Sequence, residues 1–243
     1  MTENQDRPYC ERQRRTRDLI KGAIFDAGDI LYHRKRNEVE TLFWALERNG
    51  WGKRQEYLDN KDVFDDLREL SYRGIITRKE TVIAFLKALG IHDEAQRNST
   101  FASYEEEYQV NMTFPQEVPE VVNGLKAMGM KLIVLSDGHC SGLEKKRWLA
   151  RVGIDNKFED VLCSCDIGYR KPERRAYEIT LERLSMDAAE TVFVGHSLKD
   201  LGGAMNLDIM TVGVGCPDAD SGLVNVRLSE LSELPRAIRE LKR

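Results

Sequence analysis

The sequence predicts an α/β fold, a doubly wound parallel sheet whose first strand is followed by an all-helical insertion. Three observations carry that expectation. A short apolar run, Ala23-Ile24-Phe25, ends in Asp26 and a glycine. Residues 34–113 show helical spacing with no strand pattern between. From Val118 to Val212, helical stripes then alternate with short apolar runs. Strands alternating with helices form a parallel sheet covered on both faces, and both-face burial is what makes each strand a continuous apolar run.

Each element has its own signal. The run at 23–26 reads as a buried strand with a loop beyond it. Val39, Leu42, Phe43 and Leu46 fall at i, i+3, i+4, i+7, and Asn49-Gly50 supplies the stop. Val63, Phe64, Leu67 and Leu70 repeat that spacing over residues 60–73. Thr77 and Glu80 have capping-box spacing ahead of Val82, Phe85, Leu86 and Leu89, with Gly90 as the stop. Residues 92–110 read as a more polar helix, and Phe114-Pro115 marks the return to the sheet. Val118, Val121, Val122 and Leu125 then form a helical face ended at Gly129, and Leu132 to Leu135 form a strand. A helix near 142–151 precedes a strand near 160–163. A helix from Glu173 to Leu184 precedes Val192 to Val194, and a last helix precedes Ile209 to Val212. The domain expectation is a tail over residues 1–20, a core of 21–33 and 114–243, and a helical cap of 34–113.

Composition narrows the class. Of 243 residues, 41% are apolar and 32% charged, the balance of a globular protein. No apolar run is long enough to span a bilayer, so no membrane partner is expected. A net charge of -4 gives no global attraction to phosphate backbones, so nucleic acid is not an expected partner either. The basic cluster of Arg7, Arg12, Arg14, Arg15, Arg17 and Lys21 reads as a solvated, mobile tail without the apolar run of a secretory signal. Five scattered cysteines, Cys10, Cys140, Cys163, Cys165 and Cys216, lack paired metal-ligand spacing and read as reduced thiols of a cytoplasmic protein.

Parallel sheets bind ligands at the carboxyl ends of their strands. Asp26 and Gly28 follow the first strand, Ser136 and Asp137 the second, Lys171 lies beyond the third, and Gly195, His196, Ser197 and Asp200 follow the fourth. A carboxylate to attack, a hydroxyl to orient and a cation to offset charge suit nucleophilic catalysis on a small anionic substrate. Each feature alone has a plainer reading: Asp26 a turn former, Ser136-Asp137 a helix cap, Lys171 an exposed lysine ahead of a helix. His139, near the second strand, reads as solvated. Gly213-Val214-Gly215 reads as a strand end, since it lacks a third glycine and an opening helix.

The runs Phe25-Asp26-Ala27-Gly28-Asp29-Ile30-Leu31, Leu135-Ser136-Asp137, Arg170-Lys171-Pro172 and Val194-Gly195-His196-Ser197-x-x-Asp200 resemble, in order, the four motifs of the haloacid dehalogenase superfamily. The resemblance spans residues 22–215. It implies a Rossmann-like core with a cap inserted between the first two motifs. It also implies a hydrolase whose catalytic residues are Asp26 as nucleophile, Ser136 on the substrate's anionic oxygens and Lys171 steadying the nucleophile. Ala27, Gly28, Asp137, Gly138 and His196 would bind substrate. Asp26, the Gly28 carbonyl and Asp200 would hold Mg²⁺ or another divalent cation. The activity so implied is a phosphatase of a small phosphorylated metabolite acting through an aspartyl-phosphate; the sequence itself leaves monomer and homodimer both open.

Two positions depart from the pattern. Gly28 stands where phosphatases of the family carry a general acid, a loss worth about 10²- to 10⁴-fold for a leaving group that needs a proton; Asp29 is one place away from that role. His196 stands where the family has a metal-binding aspartate, and Mg²⁺ prefers oxygen ligands. The alternatives are therefore a metal-independent haloacid dehalogenase, with Arg34 or Arg36 holding a substrate carboxylate, and a catalytically impaired fold kept for binding. The aromatics Phe43, Trp44, Trp51 and Phe85 read as the core of the cap.

Overall fold

The computed structural model describes residues 20–52, 54–216 and 222–242. The arginine cluster before Ile20 and Cys10 lie outside the described residues. Ile20, counted with the tail from sequence, is buried, and Lys21 pairs with Glu190 at 2.6 Å. Among the described residues no helix is long and apolar enough to cross a membrane.

A six-stranded sheet forms the core: β1 (Gly22–Phe25), β4 (Lys131–Ser136), β5 (Asp160–Cys163), β6 (Thr191–Gly195), β7 (Met210–Val214) and β8 (Val226–Leu228). All neighbours are parallel, in the order β5-β4-β1-β6-β7-β8. β1 is therefore interior, with β4 and β6 on its two sides. Successive strand residues point to opposite faces, and both faces are dry. Ala23, Phe25, Leu132, Val134, Val192 and Val194 belong to one apolar cluster, Ile24, Ile133, Leu135 and Phe193 to another. The helices α9 (Arg174–Leu184) and α10 (Leu198–Met205) cover the second face through Ala176, Tyr177, Leu184, Leu201 and Ala204. The helices α6 (Val118–Ala127), α7 (Gly142–Ala150) and α11 (Leu234–Leu241) lie on the first through Val118, Val122, Leu149, Leu234 and Ile238.

Between β1 and β4 the chain makes α1 (Glu38–Arg48), α2 (Arg54–Asp59), α3 (Lys61–Tyr72), α4 (Arg78–Ala88) and α5 (Glu94–Val110). Asn37 and Glu40 close a capping box on α1, Thr77 and Glu80 one on α4. Gly50 and Gly90 take the left-handed conformation just past helix ends. Phe64, Phe85 and Tyr57 form an aromatic nucleus with ring centroids 4.7–5.9 Å apart, Phe43 meets Tyr57 at 4.9 Å, and Trp44 and Trp51 pack against the larger apolar cluster that contains these rings. The helical segment is entered and left through two short strands, β2 (His33–Arg34) and β3 (Met112–Thr113), paired antiparallel. Neither was legible as a strand, because two residues carry no periodicity and the pairing spans the whole insertion. β8, α2 and α11 also lie beyond the sequence reading.

Candidate active site

Asp26 follows β1 directly, and its backbone N–H donates to the Val194 carbonyl of β6 at 2.9 Å. Ser136 is the last residue of β4. Lys171 comes from the segment between α8 (Ser164–Ile167) and α9, and Asp200 from the first turn of α10. Their side chains meet at the carboxyl edge of the sheet in a cavity of about 420 Å³. Lys171 Nζ lies 2.6 Å from Asp26 Oδ1 and 3.2 Å from Asp200 Oδ2. Burial works against this ammonium, yet the Asp26 and Asp200 carboxylates hold its pKa above the ordinary lysine value. Asp137 Oδ1 accepts the Lys171 backbone N–H at 3.2 Å; burial keeps the Asp137 carboxyl above the usual range.

Asp26 Oδ1 also accepts the Ala27 N–H at 2.8 Å, so one oxygen is fixed while Oδ2 faces the cavity with His196 Nδ1 3.7 Å away. The other nitrogen of His196 is 3.8 Å from Asp29 Oδ2. Asp29, in the left-handed conformation at φ 57°, thus sits at the cavity mouth with His33 Nδ1 at 3.1 Å from its Oδ1. Gly28, Asp137, Gly138 and His196 all line the cavity; Ala27 does not, being buried with its N–H turned to Asp26. The second motif does not cap a helix. Ser141 does so, accepting the Glu144 N–H at 3.2 Å, and Ser136 is left to the cavity. Nor is Lys171 exposed: its side chain is 2% accessible.

The insertion supplies the opposite wall: Arg34, Asn37, Glu38, Arg68, Tyr72 and Tyr108. Arg68 donates to Glu38 Oε2 at 3.1 Å, and Tyr72 Oη donates to the same oxygen at 2.9 Å. Arg34 donates to the Tyr108 carbonyl at 2.9 Å with its guanidinium 3.9 Å over the Tyr108 ring, and its Nη2 is buried without a partner. Arg36 instead turns to Glu107. Of this wall, sequence reading singled out only Arg34. The other residues are set there by tertiary packing and carry no local signal.

His139 corrects its sequence reading. It is buried between the Tyr72 and Tyr108 rings, centroids 5.7 and 5.1 Å away, rather than solvated. Its Nδ1 approaches Glu38 Oε1 at 3.2 Å. Burial outweighs that carboxylate and pushes the imidazole pKa down to about 4. The cysteines Cys140, Cys163, Cys165 and Cys216 are free, and the first two are buried.

Asp26, Gly28 and Asp200, the residues named for a divalent cation, all line the cavity, with both carboxylates already on the Lys171 ammonium. Among the described residues no group of three or more His, Cys, Asp or Glu side chains converges as a metal shell. An imidazole occupies the position beside the free Asp26 oxygen. Mg²⁺ requires near-octahedral oxygen ligation.

The family model for haloacid dehalogenase-like hydrolases matches residues 67–214, more than half of the chain. Over 242 residues the chain is 27% identical to a glyceraldehyde 3-phosphate phosphatase of Methanocaldococcus jannaschii, covering 93% of this chain and 100% of that one. It is 26% identical over 194 residues to an (S)-2-haloacid dehalogenase of a Pseudomonas species, covering 77% and 79%. Among solved structures, a 2-haloacid dehalogenase from Pseudomonas syringae superposes with a TM-score of 0.71 at 21% identity, covering 91% of this chain and 99% of the other.

Proposed function

Since the chain belongs to the haloacid dehalogenase-like hydrolases and is a hydrolase, we propose that it is a phosphatase of a small phosphorylated metabolite, with Asp26 as nucleophile. The observation that carries this reading is the 2.6 Å contact between Asp26 Oδ1 and the buried Lys171 ammonium, with Ser136 in the same cavity. One carboxylate oxygen is held by Lys171 and the Ala27 N–H, which leaves Oδ2 to attack phosphorus. The P–O ester bond breaks as the aspartyl-phosphate forms, and Ser136 donates to a non-bridging oxygen. Water then attacks phosphorus and gives a proton back to His196 as the phosphorus bond to Asp26 breaks, which releases inorganic phosphate and restores both groups.

A like-charge approach of carboxylate to phosphate costs roughly 4 kcal/mol per pair at about 4 Å and an effective dielectric of 20. Cations of the chain itself, Lys171 first, offset part of it, and no step is routed through a metal. The leaving alkoxide takes its proton from His196, the imidazole beside Asp26 Oδ2, with Asp29 on its far side; Gly28 has no side chain to give one. The charged and hydroxyl groups of the insertion, Glu38, Arg68 and Tyr72, suit a hydroxylated substrate better than the short alkyl chain of a haloacid. Glyceraldehyde 3-phosphate, named for the archaeal relative, is the first candidate.

The test is a panel of phosphorylated trioses, sugars and acids, assayed with and without excess chelator. Turnover is expected to survive chelation and to fall to background in Asp26→Asn. A panel without turnover above that variant removes the phosphatase reading. Dehalogenation is the second reading, favoured by Gly28 and by the imidazole at 196; chelator-resistant halide release from short 2-haloacids would establish it.

A further inference from the structure

We infer that Lys145, which none of the four motifs contains, is the cation that receives the anionic group of the substrate at Ser136. The inference rests on the reading of the cavity as a phosphatase site and adds a residue to it. Lys145 stands on α7 and lines the same cavity as Asp26 and Lys171, at 3% exposure. Its Nζ donates to Ser136 Oγ at 2.6 Å and lies 3.4 Å from the Asp137 carbonyl.

Its charge has no counterpart. Among the described residues, no carboxylate oxygen lies within 4.0 Å of the Lys145 ammonium. The titratable groups that act on it most strongly are Cys140, Cys163, Tyr32 and Arg34, while Asp26 and Asp137 line the same cavity without an ion-pair contact to it. Burial raises both thiols, Cys163 to about 11, and it raises the Tyr32 phenol too, so all three are neutral at physiological pH. Arg34 adds a second positive charge, again without a carboxylate. Lys171 differs, being shared by Asp26 and Asp200, and Arg68 is paired with Glu38 and Asp65.

A buried ammonium is tolerated only when an anion and hydrogen bonds replace its lost hydration. Here the chain provides hydrogen bonds and no anion, beside the hydroxyl aimed into the cavity. The missing partner is therefore the substrate's own phosphoryl group. Ser136 Oγ accepts from Lys145 and donates to the Asp137 carbonyl at a long 3.4 Å, a bond that a phosphoryl oxygen entering the cavity would replace.

The test measures binding of inorganic phosphate to the full chain in excess chelator by titration calorimetry, with thermal melting alongside. Wild type, Lys145→Met, Lys145→Arg and the exposed-site control Lys199→Met are compared. Lys145→Met is expected to weaken phosphate at least tenfold, Lys145→Arg to recover part of the loss, and Lys199→Met to match wild type. Without phosphate, Lys145→Met is expected to melt higher than wild type, since it removes an uncompensated buried charge; a merely structural lysine would make it melt lower. Should Lys145→Met not fold, Lys145→Gln takes its place. Phosphate affinity within twofold of wild type in the neutral variant, no phosphate binding by wild type, or a lower melting temperature overturns the inference. Ester turnover with Lys145-independent phosphate binding sinks this inference and spares the phosphatase reading. Lys145-dependent binding without turnover of any ester does the reverse.

Discussion

His139 lies three residues past the end of β4, and its burial turns a solvent-exposed pH sensor into a stability element. The imidazole is held between two tyrosine rings at a pKa of about 4, against 6.5 for a free histidine. As pH falls from 6.5 toward 4, the unfolded chain takes up a proton that the folded chain refuses, so stability is present above the unfolded pKa and declines on acidification. At 1.36 kcal/mol per unit, the decline attributable to His139 is about 3 kcal/mol. Urea unfolding measured at pH 7 and at pH 4 should therefore show a smaller acid loss in His139→Gln, by that amount. An unchanged difference between the two proteins would mean that the imidazole takes up a proton in the folded state, with Glu38 as its partner. His196 contrasts with it in place: its side chain is 39% accessible at the cavity mouth and faces two carboxylates rather than two rings.

At the scale of elements, α1 connects the stem of the insertion to the cavity. Asn37 Oδ1 accepts the Glu40 N–H at 3.0 Å and Glu40 Oε2 accepts the Asn37 N–H at 2.8 Å, which fixes the first turn that carries Glu38 toward His139. Replacing Asn37 by Ala should cost about 1 kcal/mol of unfolding free energy, whereas Asn37→Asp keeps an acceptor and should cost much less. Chemical denaturation of the two variants decides it, and equal losses would show that the cap contributes nothing. Such caps were partly legible in the sequence: Thr77 with Glu80 announces α4, and apolar runs announce β1, β4 and β6, because caps and periodicity are local properties. β2 and β3 were not legible, since their pairing joins His33 to Thr113 across the insertion. The stripe of Leu234, Ile238 and Leu241 is a local sign of α11 as well. The same distinction applies to the candidate site. Asp26, Ser136, Lys171 and Asp200 could be listed because strand ends of a parallel sheet share one edge. Glu38, Arg68, Tyr72 and Lys145 reach the cavity from helix faces, and nothing in their spacing says which way those faces turn.

Across the whole molecule, the sheet and the helical insertion share one apolar continuum. Tyr32 beyond β1, Tyr108 of α5, Phe114 after β3 and Trp148 of α7 form a chain of ring contacts, with centroids 5.7 Å apart for Tyr32 and Trp148 and 6.1 Å for Tyr108 and Trp148. Arg34 lies over two of these rings, and Phe25, Leu42, Phe85 and Val134 all belong to the cluster they join. Ion pairs tie the same two parts at the periphery, Arg78 to Glu144 at 2.7 Å, Arg73 to Glu173 at 2.6 Å, and Arg170 to Glu69. The Arg73 and Glu69 groups are a third or more exposed, so those contacts are screened by salt and contribute little. The aromatic stem is not subject to screening, and separating it would expose several large rings at once. The insertion and the sheet should therefore unfold together, at low and high salt alike. The tryptophans allow a direct test, since Trp44 and Trp51 lie in the insertion and Trp148 on the sheet side. In the double variant Trp44→Phe/Trp51→Phe, which leaves the stem whole, fluorescence follows Trp148 on the sheet side, and its midpoint in urea should coincide with that of far-ultraviolet circular dichroism, to which both parts contribute. An insertion that melts first, by a margin that grows with salt, would mean that peripheral ion pairs, and not the stem, join the two.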